Sequence, residues 1–134
     1  MTNIYGSLIN GEWCNVGNEI ANINPSESSQ VLGHLISANA RQIDDAVSAA
    51  RHAQPLWSAV KLEDKKNILY SIGQELMDRS DEIGKILSSE EGKPFAEGRG
   101  EVFRAGEFYQ YYAAECLRQI GESAAPVRPN IYIE

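Results

Sequence analysis

Two cysteines, two histidines and an arginine in a glycine-rich helical segment are the side chains of this 134-residue chain with the most chemical potential. A cysteine becomes a nucleophile when a basic neighbour or a helix N-terminus stabilises its thiolate. Cys14 follows Trp13 in a predicted strand without a basic residue beside it, and Cys116 precedes Leu117 on a predicted apolar helix face. We therefore interpret both as inert thiols, Cys116 as a buried one, and assign no catalytic residue.

The composition excludes several classes of function. Cys14, Cys116, His34 and His52 are far apart and form no CxxC pair, which argues against a zinc site or a disulfide framework. A formal net charge of −7 and a pI near 4.8 argue against binding to nucleic acid or to anionic membranes. No apolar run approaches the roughly 20 residues that span a bilayer, and no secretory signal is visible. We expect a cytoplasmic protein without a metal.

The first third of the chain is predicted to form strands. Leu8-Ile9 and Glu12-Trp13 flank Asn10-Gly11, and both turn residues tolerate the positive φ of a type I′ hairpin. Two further short strands are predicted at residues 20–23 and 31–36, where apolar residues cluster between turn signals.

The middle of the chain is helical in pattern. Asn39 and Gln42 have the spacing of a capping box, and Pro55 is expected to end the first helix. Ser80 is expected to cap a third helix and Gly92 to stop it. The apolar positions of these three helices are Ile43, Ala46, Val47, Ala50, Ile68, Leu69, Ile72, Leu76, Met77, Ile83, Ile86 and Leu87.

A fourth helix is predicted to begin at Pro94 and to continue for about 26 residues, or roughly 39 Å. Gly98, Gly100 and Gly106 lie inside it, and each costs roughly 1 kcal/mol relative to alanine. Three such residues indicate the close approach of another element or of a ligand, and a packed helix is the simpler explanation. The apolar positions of this helix are Phe95, Val102, Tyr109, Ala113, Cys116 and Ile120.

The segment after this helix has a different character. Pro126 and Pro129 bracket an extended stretch that leads into Ile131-Tyr132-Ile133, which is predicted to begin a strand. No partner strand is predicted after it.

Several segments, in order along the chain, resemble the N-terminal part of aldehyde dehydrogenases. Each is weak evidence alone, but their order and spacing together are specific, and they cover essentially the whole chain. They are Leu8-Ile9-Asn10-Gly11-Glu12-Trp13, Asn24-Pro25 with Val31-Leu32-Gly33, Ile43-Asp44-Asp45-Ala46-Val47 with Ala53 and Trp57, Gly92-Lys93-Pro94, Glu101, and Tyr111-Tyr112-Ala113.

A second set of segments resembles one branch of that family, the α-ketoglutaric semialdehyde dehydrogenases, which oxidise a short aldehyde with a remote keto acid. These segments are Glu90-Glu91-Gly92-Lys93, Glu97-Gly98, Gly100-Glu101, Arg104-Ala105-Gly106, Glu115-Cys116-Leu117-Arg118, Gly121-Glu122 and Val127-Arg128-Pro129.

The resemblance implies an α/β fold: strands, about four helices and the start of another strand, forming the N-terminal part of a cofactor-binding domain whose doubly wound sheet comes later. Residues 1–134 would belong to that domain and residues 124–134 to the start of an oligomerisation hairpin, so a homo-oligomer is expected. In the implied reaction a thiolate attacks an aldehyde, hydride passes to NAD or NADP, and water activated by a carboxylate releases the acid. The motifs for these steps are expected beyond residue 134. The segment alone is therefore expected to bind no cofactor, to be inactive, and to need the remainder of the dehydrogenase chain as its partner.

The resemblance also places the third turn of the fourth helix beside the substrate tunnel. Gly100 and Arg104 lie one turn apart, so a substrate carboxylate could sit over Gly100 and pair with Arg104. The alternative is an intrahelical ion pair of Arg104 with Glu101 or Glu107, worth about 0.2–0.5 kcal/mol. Glu101 is interpreted as structural, a buried partner for a basic group elsewhere in the enzyme, and the alternative is a solvated helix residue. Core or domain-interface positions are expected for Tyr109, Tyr111 and Tyr112.

Two other functions stay open. The chain could be a free-standing, non-catalytic helical module, or a split subunit, that completes another dehydrogenase chain. It could also be a degraded product without function, in which case exposed apolar helix faces would make it fold poorly.

Overall fold

A computed structural model describes residues 3–118, 121–124 and 126–132. In these ranges the elements are β1 (Ile4–Tyr5), β2 (Ser7–Ile9), β3 (Glu12–Cys14), β4 (Asn18–Ile23), β5 (Val31–Ser37), α1 (Ala40–Ala59), α2 (Leu62–Asp78), α3 (Ser80–Glu91) and α4 (Phe95–Glu115). This order confirms the predicted α/β arrangement of strands followed by four helices. None of the described helices is long and apolar enough to cross a membrane.

The strands form two small sheets. Strands β2 and β3 make the predicted hairpin, in which Asn10 and Gly11 adopt φ values of 52° and 83°. The second sheet has the order β1-β5-β4, with β4 antiparallel to β5. Strand β1, which was not predicted, pairs in parallel with β5 through Ile4 opposite His34 and Tyr5 opposite Leu35.

Helix α1 begins with the predicted capping box, since the Asn39 side chain accepts from the Gln42 backbone and the Gln42 side chain accepts from the Asn39 backbone. The prediction that Pro55 ends this helix is wrong, because α1 continues to Ala59. Proline removes the hydrogen bond to the carbonyl four residues earlier, and its ring crowds that carbonyl. The turn beyond it is held by other bonds: Val60 N–H donates to the Trp57 carbonyl, and Lys65 Nζ donates to the Ser58 carbonyl at 3.1 Å.

We expect Asn39→Ala to lower the free energy of unfolding by about 1 kcal/mol, because it removes the side-chain acceptor for an otherwise unpaired amide in the first turn. Urea unfolding followed by circular dichroism measures the change. Asn67→Ala is the matched control, since Asn67 is exposed in the middle of α2 and alanine is the better helix former. Equal losses in the two variants would contradict the capping role.

Helices α2 and α3 are separated by a single residue, and the predicted Ser80 cap is wrong. Ser80 is the first residue of α3 and is buried, and Arg79 occupies the cap position without a side-chain capping bond. Arg79 bridges the junction instead, with nitrogen–oxygen distances of 3.1 Å to Glu75 and 2.9 Å to Glu82. Its hydrogen bonds and charge lower the pKa of the Glu82 carboxyl.

Helix α3 stops at Gly92, as predicted, where φ is 72°. Helix α4 starts at Phe95, directly after Pro94, and ends at Glu115, so it has 21 residues rather than about 26. The chain tightens after Glu115, because the backbone N–H groups of Leu117 and Arg118 donate to carbonyls only three residues earlier. The predicted helical position Ile120 lies outside the described residues.

A strand was predicted at residues 131–133, and the two of these residues that the structure describes do not form one. Ile131 and Tyr132 belong to no strand, and Ile133 lies outside the described residues. The turn before them, in which Asn130 has a φ of 62°, leaves these two residues without a neighbouring strand to pair with in the described chain.

Candidate substrate-binding face of helix α4

Helix α4 has a buried face of small residues. Gly98, Val102, Gly106 and Ala113 are buried where α4 packs against α2 and α3. A Cβ atom on Gly106 would lie 2.6 Å from the Gly73 carbonyl oxygen, and one on Gly98 would lie 2.8 Å from the carbonyl oxygen of Gly84. Close helix packing therefore explains Gly98 and Gly106. It is the simpler of the two predicted explanations.

The opposite face of α4 carries the residues predicted to meet a substrate. With 3.6 residues per turn, Gly100, Arg104, Glu107 and Tyr111 follow one another along the side away from the buried face. A Cβ atom on Gly100 would meet nothing within 4 Å, so helix packing does not explain this glycine. The described structure thus leaves open space beside one turn of α4.

Gly100 and Arg104 line neighbouring clefts rather than one cavity. Arg104 lines a cleft of about 420 Å³ with Glu107, Phe108, Tyr111 and Tyr112. Gly100 lines a smaller one of about 310 Å³ together with Ala96, Arg99 and Phe103. The structure therefore places both residues on the same face, but it puts aromatic rings, not Gly100, beside the guanidinium. Phe108 was not predicted for this site, because an apolar residue in a helix does not by itself indicate a binding site.

Neither intrahelical ion pair that would occupy Arg104 is formed. Among the described residues, Arg104 makes no ion pair within 4 Å, although Glu101 and Glu107 lie at the right spacing. Glu101 is instead engaged by Lys93, with 2.7 Å between Lys93 Nζ and Glu101 Oε2. The basic partner of Glu101 is thus Lys93, a residue of the preceding turn that was not predicted for this role.

Lys93 lies between two carboxylates at the turn that joins α3 to α4. Its side chain is only 17% exposed and contacts Glu91 as well as Glu101. The hydrogen bonds that the Lys93 amine donates, first to Glu101 and then to Glu91, raise the pKa of this amine. The turn is tied to the strand region by Ser26 Oγ, which donates to the Gly92 carbonyl at 2.8 Å.

The three tyrosines of α4 are exposed, so they do not form a core within the described chain. The rings of Tyr111 and Tyr112 meet edge to face with centroids 5.3 Å apart. Each of the three exposes at least 40% of its surface. A position at a domain interface therefore stays a prediction for Tyr109, Tyr111 and Tyr112.

Neither cysteine has the surroundings of a nucleophile. Both are free thiols, and both are half-buried, so Cys116 is less buried than predicted. Cys116 lies at the C-terminal cap of α4, where the chain leaves the packed face, and its thiol donates to the Tyr112 carbonyl at 3.4 Å. Within the described ranges no group of three or more His, Cys, Asp or Glu side chains is arranged to hold a metal ion.

The chain has the order of strands and helices of a segment of a mixed α/β enzyme. Its helices pack through glycines, and one face of α4 is exposed. Residues 13–133 match the sequence model of the aldehyde dehydrogenase family. The chain belongs to this family.

Curated relatives of this chain include two semialdehyde dehydrogenases. It is 33% identical over 119 residues to the succinate-semialdehyde dehydrogenase [NADP(+)] GabD of Escherichia coli, an alignment that covers 87% of this chain and 24% of that protein. It is 30% identical over 122 residues to the alpha-ketoglutaric semialdehyde dehydrogenase of Bacillus subtilis, covering 90% and 25% of the two chains. The chain thus spans about a quarter of the length of these relatives.

Solved structures agree on the fold. An aldehyde dehydrogenase from Brucella melitensis biovar abortus superimposes with a TM-score of 0.85 and 31% identity, over 91% of this chain and 26% of that one. The lactaldehyde dehydrogenase of Escherichia coli gives a TM-score of 0.88 at 24% identity, over 96% and 27%. The arrangement of strands and four helices is therefore that of one quarter of an aldehyde dehydrogenase.

Proposed function

We propose that residues 1–134 are the N-terminal segment of a cytoplasmic, NAD- or NADP-dependent dehydrogenase that oxidises an acidic semialdehyde to the corresponding acid. Membership of the aldehyde dehydrogenase family carries the reaction class. The free guanidinium of Arg104, on the outward face of α4, supports an acidic substrate. The segment itself would position the substrate and perform no bond-breaking step.

The substrate class is supported by the names of the relatives and by the chemistry of the cleft. Succinate, glutarate and α-ketoglutaric semialdehydes, the substrates named for several relatives, all carry a carboxylate remote from the aldehyde. Arg104 offers a planar, permanently charged group that binds such a carboxylate through two parallel hydrogen bonds. Phe108 and the tyrosines beside it would exclude water and strengthen that interaction.

The glycines of α4 do not form a dinucleotide-binding loop. A phosphate-binding loop of glycines follows a strand and opens a helix, so that free backbone N–H groups face the phosphates. Gly98 and Gly106 lie inside α4 and are buried against other helices, where no phosphate can approach. We therefore assign cofactor binding to other parts of the enzyme and derive no step that involves the nicotinamide.

The surface of the chain supports a large polypeptide partner. Its accessible area is 10580 Å², whereas a compact monomer of 14.8 kDa exposes about 7,000 Å². Helix α1 has no buried residue, and its apolar stripe is exposed at Ile43 and Val47. We propose that this stripe and the aromatic side of α4 pack against the remainder of the dehydrogenase and that the enzyme is a homo-oligomer.

The experiment is to purify the native protein that carries this sequence from its source cells, measure its intact mass, and assay it with matched substrates. We expect a mass well above 14.8 kDa, with residues 1–134 at its N-terminus. We also expect reduction of NAD or NADP with succinic or glutaric semialdehyde at a KM at least about 10-fold below that for butanal or pentanal, because one charged hydrogen-bonded pair contributes about 1.5–3 kcal/mol.

The outcomes separate the two candidate functions. Equal KM values for charged and uncharged aldehydes would overturn the acidic substrate while leaving the family reaction intact. A native mass of 14.8 kDa without turnover would overturn the enzymatic role of this polypeptide. It would favour the interaction module, which the same exposed apolar faces of α1 and α4 would serve.

A further inference from the structure

Lys93 pairs with Glu101, an acid that lies within one helical turn of Arg104. Glu101 precedes Arg104 by three residues, a spacing at which oppositely charged helix side chains meet. The Glu101 carboxylate nevertheless accepts from Lys93 Nζ at 2.7 Å, and Arg104 has no ion-pair partner within 4 Å among the described residues. Lys93 thus engages one of the two acids that lie three residues from Arg104, whereas the other, Glu107, lines the same cleft as Arg104 and forms no ion pair with it.

Lys93 is well fixed for this purpose. It follows Gly92, whose left-handed backbone ends α3, and the Gly92 carbonyl is bonded to Ser26. Its side chain is mostly buried, and its amine also contacts Glu91, the last residue of α3. The amine therefore holds Glu101 on the side of α4 that faces the turn, about 60° around the helix from Arg104.

We infer that Lys93 is a positioning residue for substrate specificity, which keeps Glu101 paired so that the Arg104 guanidinium stays available to a substrate carboxylate. The inference rests on the proposed substrate role of Arg104. Without Lys93, Glu101 would turn toward Arg104, neutralise it, and place a negative charge beside the incoming carboxylate. Lys93 itself touches no substrate.

Steady-state kinetics of the purified native dehydrogenase that carries this sequence test the inference. We expect Lys93→Met to raise the KM for succinic semialdehyde by about 3- to 10-fold, the effect of one added like charge within a helical turn, and to leave the KM for butanal unchanged. The double variant Lys93→Met/Glu101→Gln should restore the KM for succinic semialdehyde to within about twofold of the wild type, because it lacks the acid that Lys93 otherwise holds, whereas Glu107 is the same in every variant. Lys85→Met is the matched control, since it removes the same charge from α3 at a site where Lys85 lies 6.0 Å from the Phe95 ring, away from Glu101.

Rescue distinguishes positioning from simple support of the turn. If Lys93 only held α3 to α4, the double variant would be as impaired as Lys93→Met, and the inference would be overturned. Glu101→Gln alone keeps Lys93 in place and should leave both KM values within about twofold of the wild type. A rise in KM for succinic semialdehyde in that variant would also overturn the inference, even if Lys93→Met failed to fold.

The variant Arg104→Ala separates this inference from the proposed function. If it leaves the KM for succinic semialdehyde unchanged, the proposed substrate role of Arg104 fails, and the inference fails with it. If Arg104→Ala raises that KM while Lys93→Met does not, the role of Arg104 stands and only the inference about Lys93 is overturned.

Discussion

Gly106→Ala will destabilise the protein, although alanine is the better helix former. The new methyl group would lie 2.6 Å from the Gly73 carbonyl oxygen and 2.6 Å from Met77 Cγ. The methionine side chain can move, but the carbonyl belongs to the backbone of α2, so the two helices must separate. Overpacking costs about 1–3 kcal/mol, and the gain in helix propensity offsets about 1 kcal/mol. We expect a net loss of up to about 2 kcal/mol in the free energy of unfolding, measured by urea denaturation.

Gly100→Ala is the matched control on the same helix. A Cβ atom there meets nothing within 4 Å, so only the gain in helix propensity remains, and this variant should be more stable by up to about 1 kcal/mol. The reciprocal variant Gly73→Ala should behave like Gly106→Ala, because its methyl group would lie 2.6 Å from the Gly106 carbonyl oxygen. Loss of stability in Gly100→Ala, or none in Gly106→Ala, would contradict the packing described for α2 and α4.

These glycines show how far the sequence alone can be interpreted. Three glycines in a predicted helix indicate that something comes close to it, because each weakens an isolated helix. Their spacing does not identify the neighbour, since Gly73 and Gly84 lie on other helices and face α4 only after folding. Sequence reasoning therefore predicted close approach, whereas the structure assigns Gly98 and Gly106 to packing and leaves Gly100 open.

Local sequence signals correctly predicted the start of α1 and the turn at Gly11. They failed at Pro55 and at Ser80. The Asn39 capping box and the turn at Gly11 depend on residues within four positions, and both are present. Pro55 failed as a stop signal because bonds from Val60 and Lys65 continue the helix. Ser80 failed as a cap because α2 runs almost directly into α3, and Arg79 lies between them.

The candidate site was predictable in part for a similar reason. Helical spacing alone places Gly100 and Arg104 on one face. The partner of Glu101 is eight residues earlier, in the turn between Gly92 and the start of α4, and no helix periodicity connects the two positions. Because the state of Glu101 decides whether Arg104 is paired, the availability of the guanidinium became visible only in the structure.

Removal of the Arg104 guanidinium should have the largest effect on substrate recognition. In the native dehydrogenase that carries this segment, we expect Arg104→Ala to raise the KM for succinic semialdehyde by about 10- to 100-fold, because a charged hydrogen-bonded pair contributes about 1.5–3 kcal/mol. The KM for butanal should change by less than about twofold, since that aldehyde has no carboxylate. Initial rates with both substrates measure the difference.

The variant Arg104→Lys tests whether the charge of the Arg104 side chain or its planar shape determines the affinity for the substrate carboxylate. Lysine keeps the positive charge but replaces the planar two-pronged donor by a single ammonium, so we expect it to recover only part of the lost affinity. Arg99→Ala is a suitable control, because Arg99 is exposed one turn earlier on α4 and is paired with Asp81. If Arg99→Ala raises the KM for succinic semialdehyde as much as Arg104→Ala does, the effect is the general loss of positive charge from α4. The specific role of Arg104 depends on a difference between these two variants, because only Arg104 lines the aromatic cleft with an unpaired guanidinium in the described structure.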